Sequence, residues 1–334
     1  MANETHIDKT CFFLHLDTLA VQQVVASFYI SIGLNTSMAP LATVFNAVVL
    51  FAIWRTKSLH TPSCILLGSL ALSDFFVGAV TQPAYVAYKF AEVNGEFDNY
   101  CIRGVLALGS AYVFAGTSFL TLLAISIDRY LALHLGMRYR QIVTTSRVTK
   151  VVIIIWVFGC LLSSSQMFLS SKTFGRVVSG IMIFCLLVTA WAYIKSFKAL
   201  KLHQAKVGTR RHASQSAYSI KDIKKYRETL TVILYIIVLV LICYIPFVCA
   251  SAAIGVKGFT SATRAARNIA SPISFANSFL NPIVYYWKLK DIRHACVNAV
   301  RKVLKKNEIS ISRTDNSVAS MSAYGTQDLA RPEN

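Results

Sequence analysis

Apolar residues gather into seven long runs, near 24–54, 62–90, 101–134, 147–169, 176–200, 226–255 and 264–287, with only scattered polar positions inside each. A helix rises 1.5 Å per residue, so ~20 residues cross the ~30 Å hydrocarbon core of a bilayer. A chain in lipid must also satisfy its backbone groups internally. The pattern therefore predicts an all-α membrane protein, a seven-transmembrane helix bundle over 24–287. The connector around 201–225 is basic and contains Ser and Gln, and reads as a mobile loop joining helical extensions of spans five and six. Past span seven, Leu289, Ile292, Cys296, Ala299, Val300 and Val303 recur at helical spacing against Lys and Arg, which predicts an amphipathic membrane-surface helix over 288–306. Residues 1–23 are left as an N-terminal segment and 307–334 as a disordered tail.

Composition agrees: 55% of 334 residues are hydrophobic and only 15% charged, which excludes an ordinary soluble domain. The first residues lack the basic stretch and apolar core of a cleaved leader, so the first span is expected to serve as the anchor. Of the 34 Lys and Arg residues, Lys9, Lys89, Arg103, Lys172, Arg176, Lys257, Arg264 and Arg267 fall on the side of the N-terminus and the rest on the side of the tail. Basic residues accumulate on the cytoplasmic side. The expected protein is therefore multi-pass in the plasma membrane, with an extracellular N-terminus and a cytoplasmic C-terminus. The net charge of +19 is then a topology signal rather than a sign of nucleic-acid binding.

Polar groups inside spans are costly in lipid and face the bundle interior or a water-filled cavity. Asn46, Asp74, Ser118, Asn277 and Asn281 sit well inside spans one, two, three and seven. Most small polar groups of this kind only hydrogen-bond between helices. Asp74 is different, because a carboxylate at that depth must be protonated or find a cation and donors.

The strings NAVVLF in span one, SLALSD in span two, SIDRY closing span three, CYIP in span six and NPIVY in span seven occur in order, with Trp156 in span four and Tyr193 in span five. This ordered set resembles the rhodopsin-like (class A) G-protein-coupled receptors from about residue 40 to 305. The resemblance implies a receptor that binds an extracellular ligand and activates heterotrimeric G proteins, with arrestin and a receptor kinase as further partners. Asp128, Arg129 and Tyr130 would form the switch at the inner end of span three. Tyr193 and Tyr285 would move toward Arg129, and Met137 would pack into the G protein. Asn281 and Pro282 belong to the same switch, while Tyr244 and Pro246 form the toggle and kink of span six. Asp74, Ser118, Asn277 and Asn281 would hold a sodium ion, the single allosteric ion implied; no cofactor or other metal is. Many relatives carry an acid at the inner end of span six where this chain has Tyr226, which predicts ligand-free signalling.

Several positions depart from the family pattern. Tyr244 stands for the usual tryptophan, Cys185 for the span-five proline, and Gly104 for the outer cysteine of span three. No cysteine lies between spans four and five. Together with the short segment there, these features resemble the melanocortin and adenosine receptor group. Cys101 is expected either to pair with Cys11 or to remain free. Ala111 stands where amine receptors have an aspartate, so an amine would find no counter-charge. The candidate pocket comprises Gln82, Tyr85, Ala111, Tyr112, Phe247, Arg267, Ser271 and Phe275, and Arg264 and Arg267 at the mouth of span seven suit an anionic ligand. Span seven has no lysine for retinal attachment. Asn3 is the usable glycosylation sequon, since Asn35 lies within span one, and Cys296 is a possible palmitoylation site. Tail hydroxyls from Ser310 to Thr326 are candidate kinase sites. The alternative function is a seven-span transporter or channel, although the spans hold few acids. No metal-ligand spacing, phosphate loop or nucleophile elbow supports an enzyme.

Overall fold

The computed structural model describes residues 7–209 and 216–302, with side chains described except for Leu133, Met137, residues 171–172, 200–234 and 236–237. After strands β1 (Asp8–Cys11) and β2 (Leu14–Asp17) and the short helix α1 (Thr18–Gln22), the first span is α2 (Val25–Arg55). Span two is a continuous run made of α3 (Pro62–Phe76), a π turn (Val77–Thr81) and α4 (Gln82–Asn94). Span three is α5 (Phe97–Leu135), followed by the one-turn helix α6 (Tyr139–Ile142). Spans four to seven are α7 (Thr145–Ser165), α8 (Ser171–Thr209), α9 (Ser216–Lys257) and α10 (Ser261–Lys288), and residues 290–302 form α11.

Local chemistry sets the ends. Thr61 accepts from the backbone N–H of Cys64, and Pro62 opens α3 at a position that needs no donor. Thr144 caps α7 in the same way, and Thr260 and Thr263 cap each other's backbone at the start of α10. Gly95, at φ 69°, closes α4 in the left-handed conformation. The π turn ends two residues before Pro83, whose missing N–H and ring bulk a regular helix would not absorb. There span two comes close to span one, and a Cβ on Gly78 would lie 2.7 Å from the backbone nitrogen of Thr43.

Among the described residues, six helices are apolar and long enough to cross a membrane by composition alone. Span seven falls short because its inward face is polar, burying Asn268, Ser271, Ser274, Asn277, Ser278 and Asn281. Lipid is met instead by exposed apolar side chains, such as Ile153, Ile154 and Leu161 of span four and Phe184 and Leu187 of span five. That inside-out distribution suits a bundle in a bilayer.

Three differences from the sequence reading concern the ends of the bundle. The N-terminal segment holds an antiparallel hairpin, with Asp8 opposite Asp17 and Cys11 opposite Leu14, so the fold is not entirely helical. Leu14 and Leu16 bury in one core with Tyr85, Tyr88, Tyr100 and Phe275, and a disulfide joins Cys11 to Cys101. Gly104 leaves room for Leu14, since a Cβ there would meet its Cδ1 at 2.6 Å. The connector read as a loop is helical up to Thr209 and again from Ser216; its Lys, Arg, Gln and Ala residues favour helix. In α11 the buried face is Ile292, Ala295, Cys296 and Ala299, packed into the bundle core, while Val300 is exposed. Asn3, Val303 and the tail with its Ser and Thr residues lie outside the described residues, as do the side chains of Met137 and Tyr226.

Candidate functional site

Three polar constellations lie along the bundle, one at each end and one in the middle. The middle one is built on Asp74, which is fully buried. Ser118 of span three donates to its Oδ1 at 3.0 Å and Ser278 of span seven to the same oxygen at 2.9 Å, while Asn281 Nδ2 donates to Oδ2 at 2.8 Å. Asn46 crosses from span one to the carbonyl of Ser278 at 2.8 Å. Every donor to Asp74 is neutral. The amide oxygens of Asn46, Asn277 and Asn281 and the Tyr285 hydroxyl are buried without a hydrogen-bond partner. A carboxylate with neutral donors, on a face where the Asn277 and Asn281 amide oxygens are orphaned, has the oxygen ligands that a small hard cation takes. Ser278 escaped the sequence reading although it lies three residues before Asn281, on the same helix face. Asn277 is buried near these groups but is not one of Asp74's hydrogen-bond donors.

At the tail-side end of span three, Asp128 is buried and Arg129 partly exposed. Arg129 Nε donates to Asp128 Oδ2 at 3.0 Å, and Nη2 bonds the same oxygen. Ser63 at the start of α3 also donates to Oδ2, at 2.9 Å, while the Tyr139 hydroxyl of α6 takes Oδ1 at 2.6 Å. Burial and the adjacent carboxylate push the Tyr139 phenol up to about 12, so it stays a donor at any physiological pH. Neither Ser63 nor Tyr139 was singled out in the sequence. Tyr130 turns aside, stacking on His134 with centroids 5.5 Å apart and meeting Trp191 of span five at 5.2 Å. Tyr193 stacks on Phe197, and Tyr285 is buried in the core. Tyr244, two residues before Pro246, leans on Phe119 of span three at 5.6 Å. Cys296 faces the bundle, and burial pushes its thiol up to about 11, so an acyl chain there requires α11 to turn over.

At the N-terminal end, Glu92 is buried between two cations, with Lys89 Nζ 2.7 Å from Oε2 and Arg264 Nη1 3.2 Å from Oε1. Lys89 also lies over the rings of Tyr88, Phe28 and Tyr85 at 4.8, 4.9 and 5.5 Å. Arg267 instead reaches span six, lying 4.2 Å over Phe247 and donating to Ser251 Oγ at 3.1 Å. Tyr85 meets Phe275 edge-on at 5.7 Å, Tyr112 meets Phe174 at 4.8 Å, and Ser271 donates to the carbonyl of Arg267. Ala111 is partly buried against the same core. Gln82 is the exception among the pocket candidates. It is fully buried and donates to Asn35 of span one at 3.2 Å, away from the others.

The family described as 7 transmembrane receptor (rhodopsin family) matches residues 45–179 and 172–285. Melanopsin-B of Xenopus laevis is 24% identical across 94% of this chain and 61% of its own length. The human histamine H2 receptor is 26% identical across 80% of this chain and 81% of its own. The 5-hydroxytryptamine receptor 1D of Canis lupus familiaris is 30% identical across 44% of this chain and 38% of its own. The chain thus spans about three fifths of melanopsin-B and under two fifths of the 5-hydroxytryptamine receptor. With its seven helices, its buried Asp74 and its Asp128–Arg129 pair in the order the family requires, the chain belongs to the rhodopsin family of seven-transmembrane, G-protein-coupled receptors.

Proposed function

We propose that the protein sits in the plasma membrane with its N-terminus outside, binds an extracellular ligand in the outer half of the bundle, and activates heterotrimeric G proteins at the tail side, where arrestin and a receptor kinase also act. The observation that carries this reading is the set of bonds around Arg129. Its guanidinium pairs only with its neighbour Asp128 among the described residues, and two other elements hold that carboxylate in place. The Arg129 side chain is 19% exposed and reaches a single oxygen of the carboxylate. A charge held through one oxygen at the membrane edge can be taken over by an arriving partner. Pro246 and Pro282 interrupt helix hydrogen bonding in spans six and seven and supply the points about which those helices move.

Asp74, Ser118, Ser278 and Asn281, with the unpartnered oxygen of Asn277 nearby, would hold a sodium ion in the resting receptor. The cation would supply the counter-charge that the neutral donors lack. Two of the relatives are named for amines, histamine and 5-hydroxytryptamine. The outer pocket here offers Ala111 on span three and the Arg267 cation on span seven, which disfavours an ammonium ligand.

The test is expression with a panel of G-protein activation sensors. With Tyr226 in place of an acid on span six, ligand-free signalling above the empty-vector level is expected, and Arg129→Ala should remove it for most partners at equal surface expression. A basal signal that survives Arg129→Ala with every sensor would overturn the switch.

A further inference from the structure

Arg264 and Arg267 lie one turn apart at the outer end of α10, and only one of them is neutralised. Arg264 is 7% exposed and bound to Glu92, whose other oxygen holds Lys89. That trio already carries two cations on one carboxylate, and Arg264 Nε is buried with no partner. Arg267 is half-buried, and no carboxylate lies within ion-pair distance of it among the described residues. Its known partners are a hydroxyl and an aromatic face, those of Ser251 and Phe247. The buried trio therefore holds two cations on one acid, and the half-buried Arg267 stands one turn further along α10.

A guanidinium presents five donors in a planar fork that matches a carboxylate, and Arg267 spends one of them on Ser251. Ser271 and Phe275 follow one and two turns inward on the same side of α10, and Phe247 lies across from them, directly after the kink residue Pro246. The side chains that α9 and α10 place next to Arg267 are thus two aromatics and one hydroxyl. Cation, apolar wall and a single polar group are the elements of a site for a small organic acid.

We propose that Arg267 anchors the carboxylate of an anionic organic ligand whose apolar body lies against Phe247 and Phe275. This deepens the receptor reading and rests on it by naming the ligand class. The buried Lys89–Glu92–Arg264 trio acts as a fixed positive wall that draws the anion in without binding it directly, since its side chains are sealed from solvent and both Glu92 oxygens are paired within it. The arrangement also couples binding to movement. Arg267 ties span seven to span six through Ser251 and Phe247, so a carboxylate on the remaining arms of its fork would bear on both helices, on the outer side of Pro246. Differential contact of this kind is what lets a ligand shift a two-state helix.

The experiment uses the purified full-length receptor in detergent at fixed ionic strength, with phenylacetate and its neutral counterpart phenylacetamide as probes and thermal unfolding as the readout. Phenylacetate should raise the midpoint at concentrations about tenfold below those the amide needs, the ratio expected when a charge-assisted pair is lost. Arg267→Gln should remove the preference for the acid, and Arg267→Lys, which keeps the charge and loses the fork, should retain only part of it. If Arg267→Gln does not fold, the acid-to-amide ratio in the parent and in Arg267→Lys still decides. Equal action of acid and amide, no shift with either, or an unchanged preference in Arg267→Lys overturns the proposal. Arg129→Ala separates the two readings: it should silence the sensors while keeping the phenylacetate shift. A parent chain that signals without ligand but ignores phenylacetate defeats the ligand class alone.

Discussion

Asp74 and Glu92 stand on the same membrane-crossing run, both nearly sealed from solvent, and the bundle satisfies them in opposite ways. Glu92 receives two side-chain cations, one from its own helix and one from span seven, so its charge is cancelled by groups that cannot leave. Asp74 receives two hydroxyls and an amide, so its charge is hydrogen-bonded but not cancelled. The first arrangement is a brace between spans two and seven. The second leaves the carboxylate without a counter-charge among its partners, which is the basis of the proposed sodium site. A buried carboxylate by itself therefore says little about function; whether its partners are charged or neutral separates scaffold from sensor.

The largest expected effect comes from breaking the brace. Glu92→Gln leaves Lys89 and Arg264 as uncompensated buried cations, which costs about 3–5 kcal/mol. Most of the variant should fail to reach the cell surface, with a large fall in the thermal midpoint of what is purified. Changing Lys89→Met, Glu92→Leu and Arg264→Met together should restore folding, because an apolar replacement of a whole buried triad is neutral or better. Surface labelling beside thermal unfolding checks both, and a silent Glu92→Gln would remove the distinction between the two carboxylates.

The sequence showed one of these carboxylates far better than the other. Asp74, Ser118 and Asn281 were legible because they belong to strings whose order carries the family resemblance, and a carboxylate in mid-span asks for partners on its own. Glu92 was not, because the apolar run stops at about residue 90 while α4 continues to Asn94. Its burial also depends on a contact made far along the chain, with Arg264 of span seven. The hairpin that roofs this region was hidden for a local reason. Its turn is Phe12-Phe13, with Phe12 at a φ of 52° that an aromatic residue seldom adopts, so no Gly or Asn marked it. Only the alternation of Leu14 and Leu16 hinted at a strand, and two residues are too few to decide a period. Gln82 looked like a pocket residue by its depth, yet its orientation toward Asn35 depends on the π turn just before it.

A smaller effect sharpens the other half of the comparison. Asp74→Asn removes the charge while preserving shape and most of the hydrogen bonds, so stability in sodium-free medium should change by about 1 kcal/mol or less, in line with an interaction exchanged rather than lost. Titration of the parent receptor with sodium chloride against choline chloride should raise its thermal midpoint and lower its basal signal, and Asp74→Asn should show neither response. A parent receptor indifferent to sodium would make Asp74 a second brace in all but partner type.

The smallest effect belongs to the third buried carboxylate, Asp128, which mixes the two solutions: one movable cation, Arg129, and two neutral donors, Ser63 and Tyr139. Both Arg129 contacts and the Ser63 hydroxyl fall on Oδ2, while the Tyr139 hydroxyl takes Oδ1 at 2.6 Å. Since burial and Asp128 hold the Tyr139 phenol up at about 12, it remains protonated and in place across the whole physiological range, and no pH change near neutrality releases it. Tyr139→Phe does release it. Oδ1 then becomes free for the second arm of the guanidinium, and a two-point pair holds Arg129 more firmly than contacts to a single oxygen. A gain of ~1 kcal/mol on a partly exposed pair shifts a two-state population by up to about fivefold. Basal G-protein activation should therefore fall several-fold in Tyr139→Phe, without the full loss expected of Arg129→Ala, and the ratio should not vary between pH 6.5 and 8. A rise in basal activity would mean that Tyr139 holds the resting state shut, and that Asp128 behaves as a brace like Glu92.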